Sequence, residues 1–332
     1  MQTGILASKA PNIPFPMLEE NAQRLEEWLL QRFSSTTFNV DCDTLPIMQG
    51  KPDHIHLKED ATPYACHTPA DVPLHWEKDV KGAVDKDIHQ GIICQVPQGE
   101  PSEWCARMVV VPKKDGGPRR AVDYQKLNKS CLRETHHTPT PYNLVSSIPQ
   151  FTYKTVADAY SGFHQSELDE ASSKLTTFVT PWGRYRYLRT PMGLCSSTDA
   201  YTRKFDDAIE NIQRKLKCVD DVLLYDHSVE DAFWHTYDFL ETCAKKGITL
   251  NPKKFKFCRR EVEFVGYNVG WTNRRTIISH KVIQHASKTN NNRHTFMVWP
   301  GEPAGTVPGH GTSSGPIQGP TQEKQHKTGL LG

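Results

Sequence analysis

Three aspartates are the residues of this chain whose types and positions most suggest catalytic chemistry. Asp158 follows a short apolar run, and Asp220 and Asp221 stand side by side between two further apolar runs. Neighbouring carboxylates repel each other, and Mg²⁺, which prefers a few carboxylates together with phosphates and water, relieves that repulsion. Two such ions, roughly 3.5–4 Å apart, activate a hydroxyl and neutralise a triphosphate. The pattern therefore favours phosphoryl transfer if the three side chains converge.

Each aspartate also has a purely structural interpretation. Asp158 can cap a helix that follows it, and the Asp220–Asp221 doublet can form a polar turn. For either feature alone the structural interpretation is the better one. A strand that ends in an acid, followed by a helix and then a doubly acidic hairpin, is a rarer combination. Together with a basic hairpin earlier in the chain, it favours a polymerase.

The elements that would position these acids follow from the spacing of apolar residues. Residues 153–157 have strand character and lead into Asp158, and residues 216–219 and 222–225 predict the hairpin whose bend holds the doublet. Between them, Ser196 and Ser197 predict a capped helix that extends to Ile212. The three acids are thus expected at the ends of neighbouring strands.

Further elements surround this central part. Apolar spacing predicts helices over 17–33 and 75–90, and a capping pair, Ser228 with Asp231, predicts a third helix that stops at Gly247. Residues 104–112 and 119–124 predict a hairpin with the basic tip KKDGGP, which taken alone would be interpreted as a solvated loop. Residues 248–269 predict strands and turns.

Bulk properties restrict the function only weakly. The chain has 332 residues, a formal charge of +2 and a pI near 8.0, so net charge barely argues for a nucleic-acid partner. Nine scattered cysteines without a CxxC pair argue against a disulfide framework or a zinc ribbon and favour a reducing compartment. The chain has neither a signal peptide nor a run of about 18 apolar residues, so we expect an intracellular protein without a membrane partner.

Seven short motifs follow one another along the chain: VVVPKKDG (109–116), RRAVDYQKLN (119–128), RETHHTP (133–139), TPWGRYRY (180–187), PMGL (191–194), CVDD (218–221) and FVGY (264–267). Through these motifs the chain, from about residue 45 to residue 267, resembles the reverse transcriptase of gypsy-like LTR-retrotransposon Pol polyproteins. So many motifs in the same order argue against chance similarity.

The resemblance implies an α+β fold of a right-hand polymerase, with fingers and an antiparallel palm sheet. It implies that Asp158, Asp220 and Asp221 hold two Mg²⁺ or Mn²⁺ ions. The implied activity is that of an RNA-directed DNA polymerase, which acts with an RNA or DNA template, a primer and dNTPs. The implied location is the cytoplasm or retroelement particles, while the oligomeric state stays open.

The resemblance also assigns a nucleotide site. Lys113 would hold the triphosphate by its point charge and Arg119 by its bidentate fork. Phe163 matches an aromatic residue that blocks a ribose 2′-hydroxyl, although ordinary core packing explains it equally well. Met192 and Gly193 would lie under the template base or the nucleotide.

Primer-template contacts are assigned to Cys218, Phe264, Gly266 and Tyr267, of which the last three match the primer grip. Cys218 departs from the family, which normally has an aromatic residue there, so we expect altered fidelity or affinity rather than lost activity. Lys254 is a candidate acid for protonating pyrophosphate, although it and its neighbouring lysines would equally suit a solvated or phosphate-binding face.

Two alternative functions stay open at this point. The first is a catalytically weak or inactive remnant that only binds primer-template, and the second is a purely structural retroelement protein. The pair His136–His137 suggests a metal site, but it has no suitably spaced Cys or His partners, so two polar loop histidines are the better interpretation.

Residues 286–332 lose all periodicity and are rich in Gly, Pro, Ser and Gln. We divide the chain into an N-terminal helix and linker (1–44), fingers and palm (45–285) and a disordered tail, with the thumb largely missing. Met297 and Trp299 have unique codons, so reading one base later forces a Trp, one residue and a Gly. This matches a WFGLVNQ-like segment of the family and predicts a frameshift near residues 284–287.

Sequencing the locus tests the frameshift. We expect the shifted frame to continue into a thumb, a connection and a ribonuclease H-like coding sequence. A locus without any such continuation in the shifted frame would contradict the prediction.

Overall fold

The computed structural model describes residues 11–41, 43–113, 116–272 and 275–277, all within the compact unit Met1–Gln284. The helices of these ranges are α1 (Ala22–Arg32), α2 (Glu77–His89), α3 (Gln125–Ser130), α4 (Pro141–Ser146), α5 (Glu170–Leu175), α6 (Ser197–Ala208) and α7 (Val229–Lys246). The strands are β1 (Ile93–Gln95), β2 (Ala106–Pro112), β3 (Pro118–Asp123), β4 (Tyr153–Asp158), β5 (Phe178–Thr180), β6 (Gly183–Tyr187), β7 (Lys215–Cys218), β8 (Asp221–Asp226), β9 (Lys256–Arg259), β10 (Val262–Phe264), β11 (Tyr267–Val269) and β12 (Arg275–Ile277).

The palm sheet has the strand order β7-β8-β4-β9, and every pair in it is antiparallel. Successive side chains of a strand point to opposite faces of a sheet. Ala157 and Val222 accordingly pack in a core with helices α1, α6 and α7, whereas Val156 and Leu223 pack on the other face with α4 and β10. The central strands β4 and β8 are therefore held from both sides.

The fingers sheet has the order β1-β6-β5-β2-β3. Its pairs are antiparallel except β2 with β5, which is parallel. Its own core contains Val84 of α2, Met108 of β2 and Phe178 of β5. A third sheet, β10-β11-β12, follows the palm in the chain.

The predicted α+β architecture with an antiparallel palm sheet is confirmed. The predicted helices over 17–33, 75–90 and 228–246 correspond to α1, α2 and α7, and both predicted hairpins form as β2–β3 and β7–β8. Ser228 Oγ accepts a hydrogen bond from the Asp231 amide at 3.0 Å, as the capping pair predicts. The predicted tail of residues 286–332 lies outside the described residues, and the boundaries at 44 and 285 stay predictions.

The predicted helix of residues 196–212 forms with Ser196 at its N-cap position, but its predicted end at Ile212 was wrong. Helix α6 ends at Ala208, and Ser196 precedes it without accepting a capping hydrogen bond through its side chain. Ile212 lies beyond the helix but is still buried in the palm core. Because Ile212 is buried, the apolar spacing of the sequence continues to this residue although the helix has already ended.

The described part of the chain has two further general properties. Its eight cysteines, at 66, 94, 105, 131, 195, 218, 243 and 258, carry free thiols. Among its helices, none combines the length and the apolar character needed to cross a membrane.

Gly247 is the glycine whose replacement we expect to damage the fold most clearly. It ends α7 with φ 73°, and a Cβ there would lie 2.2 Å from the Ile47 carbonyl oxygen. We expect Gly247→Ala to lower the free energy of unfolding by about 2 kcal/mol or more, measured by urea titration.

Gly82→Ala is the matched control, because Gly82 lies inside α2 and a Cβ there meets nothing within 4 Å. The control should stabilise the protein by roughly 0.5–1 kcal/mol through helix propensity. Equal effects of the two variants would contradict the argument.

Candidate active site

Pairing of β4 with β8 brings the three aspartates together. Asp158 is the last residue of β4, and its register partner is Asp221, the first residue of β8. Asp220 lies in the two-residue turn before Asp221, and its carbonyl oxygen accepts a hydrogen bond of 3.0 Å from the Ala159 amide. The other turn residue, Val219, has φ 58°, a conformation that is strained for a β-branched residue.

The carboxyl groups of the three aspartates interact strongly. Burial, followed by the charges of Asp220 and Asp158, raises the pKa of Asp221 to about 7. Burial and the Asp158 charge also raise the pKa of Asp220. Asp158 and Asp221 are register partners, so their side chains stand opposite each other on the same face of the sheet. The cluster thus carries more negative charge than the protein around it balances.

Lys254 supplies part of the missing positive charge. Its Nζ lies 2.7 Å from Asp158 Oδ2, although the lysine side chain is largely exposed. Burial by itself would lower the Lys254 pKa, but the hydrogen bond to Asp158 and the charges of Asp221 and Asp220 raise it. Lys254 is therefore a charged neighbour of the aspartates, as a proton donor at this site would have to be.

The chemistry of the donor set fits divalent cations. In the described ranges, no group of three or more His, Cys, Asp or Glu side chains is already spaced to hold a metal ion. Mg²⁺, however, is usually bound by one or two carboxylates together with waters and substrate phosphates rather than by an all-protein cage. Asp158, Asp220 and Asp221 offer such hard carboxylate oxygens. The raised pKa values of Asp220 and Asp221 reflect a repulsion that a bound cation would relieve.

Lys217 stabilises the turn that holds Asp220, and the sequence did not predict this role. Its Nζ donates to the Val219 carbonyl oxygen at 3.1 Å and forms an ion pair with Asp206 at 3.2 Å. The lysine is buried, and burial lowers its pKa. A lysine in a strand ordinarily predicts a solvent-facing position, so the sequence carried no signal for this role.

Gln165 is a second residue that sequence reasoning missed. Its side-chain amide donates to the carbonyl oxygens of Tyr160 and Thr249 at 2.6 and 2.8 Å, and its Oε1 accepts from the Thr249 amide at 2.9 Å. These bonds tie the segment after Asp158 to the segment after α7. The helix expected after Asp158 is only the short 3₁₀ helix Gly162–Gln165.

The residues predicted for the triphosphate lie on the fingers hairpin. Lys113 directly follows β2 and Arg119 belongs to β3, and both side chains are exposed. The hairpin is part of the fingers sheet, whereas the aspartates lie at the end of the palm sheet. The adjacent Arg120 points to the other face of β3 and forms an ion pair with Asp87 of α2. Arg120 therefore anchors the hairpin to α2, whereas the predicted Arg119 takes no part in this ion pair.

Phe163 lies in the connection that follows β4, and Met192 and Gly193 lie in the connection between β6 and α6. The half-buried Phe163 ring packs against Tyr201 of α6, with ring centroids 5.2 Å apart. Met192 is exposed, and Gly193 has φ 98°. The Asn128 side-chain amide donates to the Gly193 carbonyl oxygen at 2.8 Å, which fixes this turn to α3.

The residues predicted for primer-template contact share one cluster. Phe264 and Tyr267 are register partners in the β10–β11 hairpin, and Gly266 in its turn has φ 90°. Cys218, the register partner of Asp221, packs in the same hydrophobic cluster as these two aromatic residues. The structure thus brings Cys218, Phe264 and Tyr267 together beside the acidic turn.

Two other features take no part in the site. A cavity of about 440 Å³ lies between the segment 49–56 and α6, and at its wall Lys204 forms an ion pair with Asp53 at 2.9 Å. His136 lies in a loop, where its Nε2 is 2.9 Å from Asp206 Oδ2.

Residues 111–269, which include all three aspartates, match the family model described as "Reverse transcriptase (RNA-dependent DNA polymerase)". Residues 111–269 are thus similar to a reverse transcriptase domain. Domains of this family are nucleotidyltransferases that generally use divalent metal ions, in agreement with an acidic cluster at the end of an antiparallel sheet.

Known proteins similar to the chain include viral and transposon polyproteins. The enzymatic polyprotein of cauliflower mosaic virus (strain CM-1841) is 31% identical over 203 residues, which are 59% of this chain and 30% of that protein. The retrovirus-related Pol polyprotein from transposon 412 of Drosophila melanogaster is 25% identical over 238 residues, 69% of this chain and 19% of that protein. The chain thus spans less than a third of these relatives.

Among solved structures, the foamy viral protease-reverse transcriptase in complex with RNA/DNA hybrid has a similar fold. The TM-score is 0.69 at 18% identity, over 83% of this chain and 38% of that one. This likeness agrees with the fingers and palm described above.

The raised pKa of Asp221 predicts a pH-dependent stability. A carboxyl group whose pKa is higher in the folded state binds more protons there, so the free energy of unfolding falls as pH rises from 3.8 toward about 7. Replacing the Asp221 carboxylate by a neutral amide should remove this loss of stability at high pH. In metal-free buffer at pH 8, we expect Asp221→Asn to raise the free energy of unfolding by on the order of 1–3 kcal/mol, and to have little effect at pH 4.

The control is Asp226→Asn at the other end of β8. Asp226 is buried and paired with Arg214 at 2.7 Å and His235 at 2.9 Å, so its replacement should destabilise the protein at pH 8. A destabilised Asp221→Asn protein at pH 8 would contradict the account of the acidic cluster.

Proposed function

We propose that this chain is an RNA-directed DNA polymerase that adds deoxynucleoside monophosphates to the 3′-hydroxyl of a primer and releases pyrophosphate. The observation that carries the proposal is the β4–β8 register, which joins Asp158 to the Asp220–Asp221 turn. Their mutual repulsion, expressed in the raised pKa values of Asp220 and Asp221, creates a demand for cations. A polymerase meets that demand with its metal ions and substrate.

Asp158, Asp220 and Asp221 would hold two Mg²⁺ or Mn²⁺ ions, shared with the triphosphate. When bound, such ions lower the pKa of the primer hydroxyl and neutralise the charge that develops on the phosphates. The part left to the protein is to position the reactants and to stabilise charge. Lys254, next to Asp158, is our candidate for the group that gives a proton to the leaving pyrophosphate.

The fingers would supply the nucleotide contacts. Lys113 and Arg119 are exposed and charged, and so can bind the triphosphate of an incoming dNTP without first breaking a buried ion pair. Phe163 would face the sugar and exclude a 2′-hydroxyl. Met192 and Gly193 would lie under the base, and the exposure of Met192 supports this assignment.

The cluster formed by Cys218, Phe264 and Tyr267, with the turn glycine Gly266, would hold the primer-template next to the aspartates. The foamy viral reverse transcriptase of similar fold was solved with an RNA/DNA hybrid, which supports nucleic acid as the partner here. Cys218 is smaller than an aromatic residue, so it leaves the primer a smaller contact area.

We also propose the finer origin of the chain. Similarity to a retrovirus-related Pol polyprotein supports a retrotransposon, and the motifs of residues 109–267 favour the gypsy-like LTR class. Such an element would act inside the cell, in the cytoplasm or in its own particles. The division into residues 1–44, 45–285 and 286–332, with a largely missing thumb, belongs to the same proposal.

Primer extension tests the function. Purified chain is incubated with a DNA primer on an RNA template, dNTPs and Mg²⁺ or Mn²⁺, and product length is measured. We expect extension by the wild type and a loss of about 100-fold or more in Asp220→Asn. The control is Asp207→Asn, an exposed carboxylate of α6, which should retain extension.

The same assay separates the alternatives when primer-template binding is measured in parallel. Binding without extension would contradict polymerase activity and favour a remnant that only binds nucleic acid. A protein that neither binds nor extends, with no response to Mg²⁺, would favour a purely structural retroelement protein.

A further inference from the structure

Tyr201 of α6 carries a buried hydroxyl without a protein partner. The residue is fully buried, and its hydroxyl oxygen forms no hydrogen bond with any group in the described part of the chain. Burial, and after it the charges of Asp220 and Asp158, raises the Tyr201 pKa well above 10. A buried hydroxyl without a partner adds no stability, so the contribution of Tyr201 to this site must come from its ring.

Tyr201 occupies the space that Gly162 leaves open. A Cβ added to Gly162 would lie 2.5 Å from the Tyr201 hydroxyl oxygen and 2.7 Å from its Cζ, distances that real Cβ atoms essentially never show. The backbone of Gly162 does not have a positive φ. Glycine at this position is therefore required by the close approach of the tyrosine ring and not by the backbone conformation.

Phe163 follows Gly162 in the same 3₁₀ helix and rests on the same tyrosine. Its ring centroid lies 5.2 Å from that of Tyr201, with the planes tilted by 46°. Tyr201 in turn packs on Phe205, one helical turn further along α6. One side chain thus supports both the backbone before Phe163 and the ring of Phe163.

We propose that Tyr201 is a positioning residue: by packing under the Phe163 ring, it fixes how far this ring projects from α6 toward the nucleotide site beside the aspartates. It thereby sets how strictly the site excludes a nucleotide with a 2′-hydroxyl. The proposal deepens the proposed function and rests on it, because Phe163 would face the sugar. Without the tyrosine ring, Phe163 would sink toward α6 and leave room for the extra hydroxyl.

The experiment compares Tyr201→Leu, which removes the ring, with Tyr201→Phe, which keeps it. Incorporation of a single dNTP and of the matching rNTP is measured for each, as kcat/KM. We expect Tyr201→Leu to lower discrimination about tenfold or more, mainly through a lower KM for the rNTP, and Tyr201→Phe to stay within about twofold of the wild type.

Two controls separate positioning from general damage. Phe239→Leu removes a fully buried ring of α7 in the same core, and it should leave discrimination unchanged. Phe163→Ala measures the full contribution of the Phe163 ring. If Tyr201→Leu keeps wild-type discrimination while Phe163→Ala loses it, the proposal is overturned; if Phe163→Ala also keeps it, Phe163 is not the selecting residue and the inference falls with it.

A double-mutant cycle of Gly162→Ala and Tyr201→Leu tests the contact between these two residues. Gly162→Ala should raise the KM for the dNTP, because the new methyl group collides with the tyrosine, and Tyr201→Leu in the same chain should reverse this rise. Independent, additive effects would overturn the proposal.

An NMR measurement keeps the proposal falsifiable without polymerase activity. The Phe163 ring signal, assigned in selectively labelled protein with the help of Phe163→Leu, should shift in Tyr201→Leu because the ring current of Tyr201 is lost and Phe163 moves. An unchanged signal overturns the proposal. Failure of the proposed function would look different, since the wild type itself would then extend no primer.

Discussion

The constraint on which the site depends is the mutual repulsion of three carboxylates that strand pairing forces together. The register of β4 on β8 places Asp158 opposite Asp221, and the turn adds Asp220. The protein offsets this charge only in part, through Lys254 and through the buried Lys217 below the turn. The remaining repulsion would be relieved by cations and by a cation-bound triphosphate, and this relief would contribute to their affinity for the site.

The fold tolerates this repulsion because both faces of the palm sheet are packed. Val156 and Leu223 bury one face and Ala157 and Val222 the other, so β4 and β8 cannot separate without exposing two cores. The strained turn at Val219 is held in the same way, by the Lys217 ammonium on its carbonyl oxygen. Stability built into the strands thus maintains a geometry that the carboxylates alone would not adopt.

The sequence predicted the elements whose signals are local and periodic. Strand β4, the hairpin with Asp220 and Asp221, and helix α7 with its Gly247 stop are of this kind. It could not predict features that depend on tertiary contacts. Buried Lys217 looks like a surface residue on a strand, and Gln165 looks like an ordinary polar residue. Their roles become visible only through tertiary partners, which are Asp206 of α6 for Lys217 and Thr249 for Gln165. The end of α6 was missed because the apolar pattern continues past the last helical hydrogen bond.

The central claim is that Asp158 and the later doublet act as one binding site for divalent cations, and Mn²⁺ binding measured by electron paramagnetic resonance tests it most directly. With primer-template and dNTP present, the account predicts that the wild-type chain binds Mn²⁺ and that Asp158→Asn, although it lies on a different strand from the doublet, loses that binding as fully as Asp221→Asn does. Equal Mn²⁺ binding by the wild type and by Asp158→Asn would contradict the account.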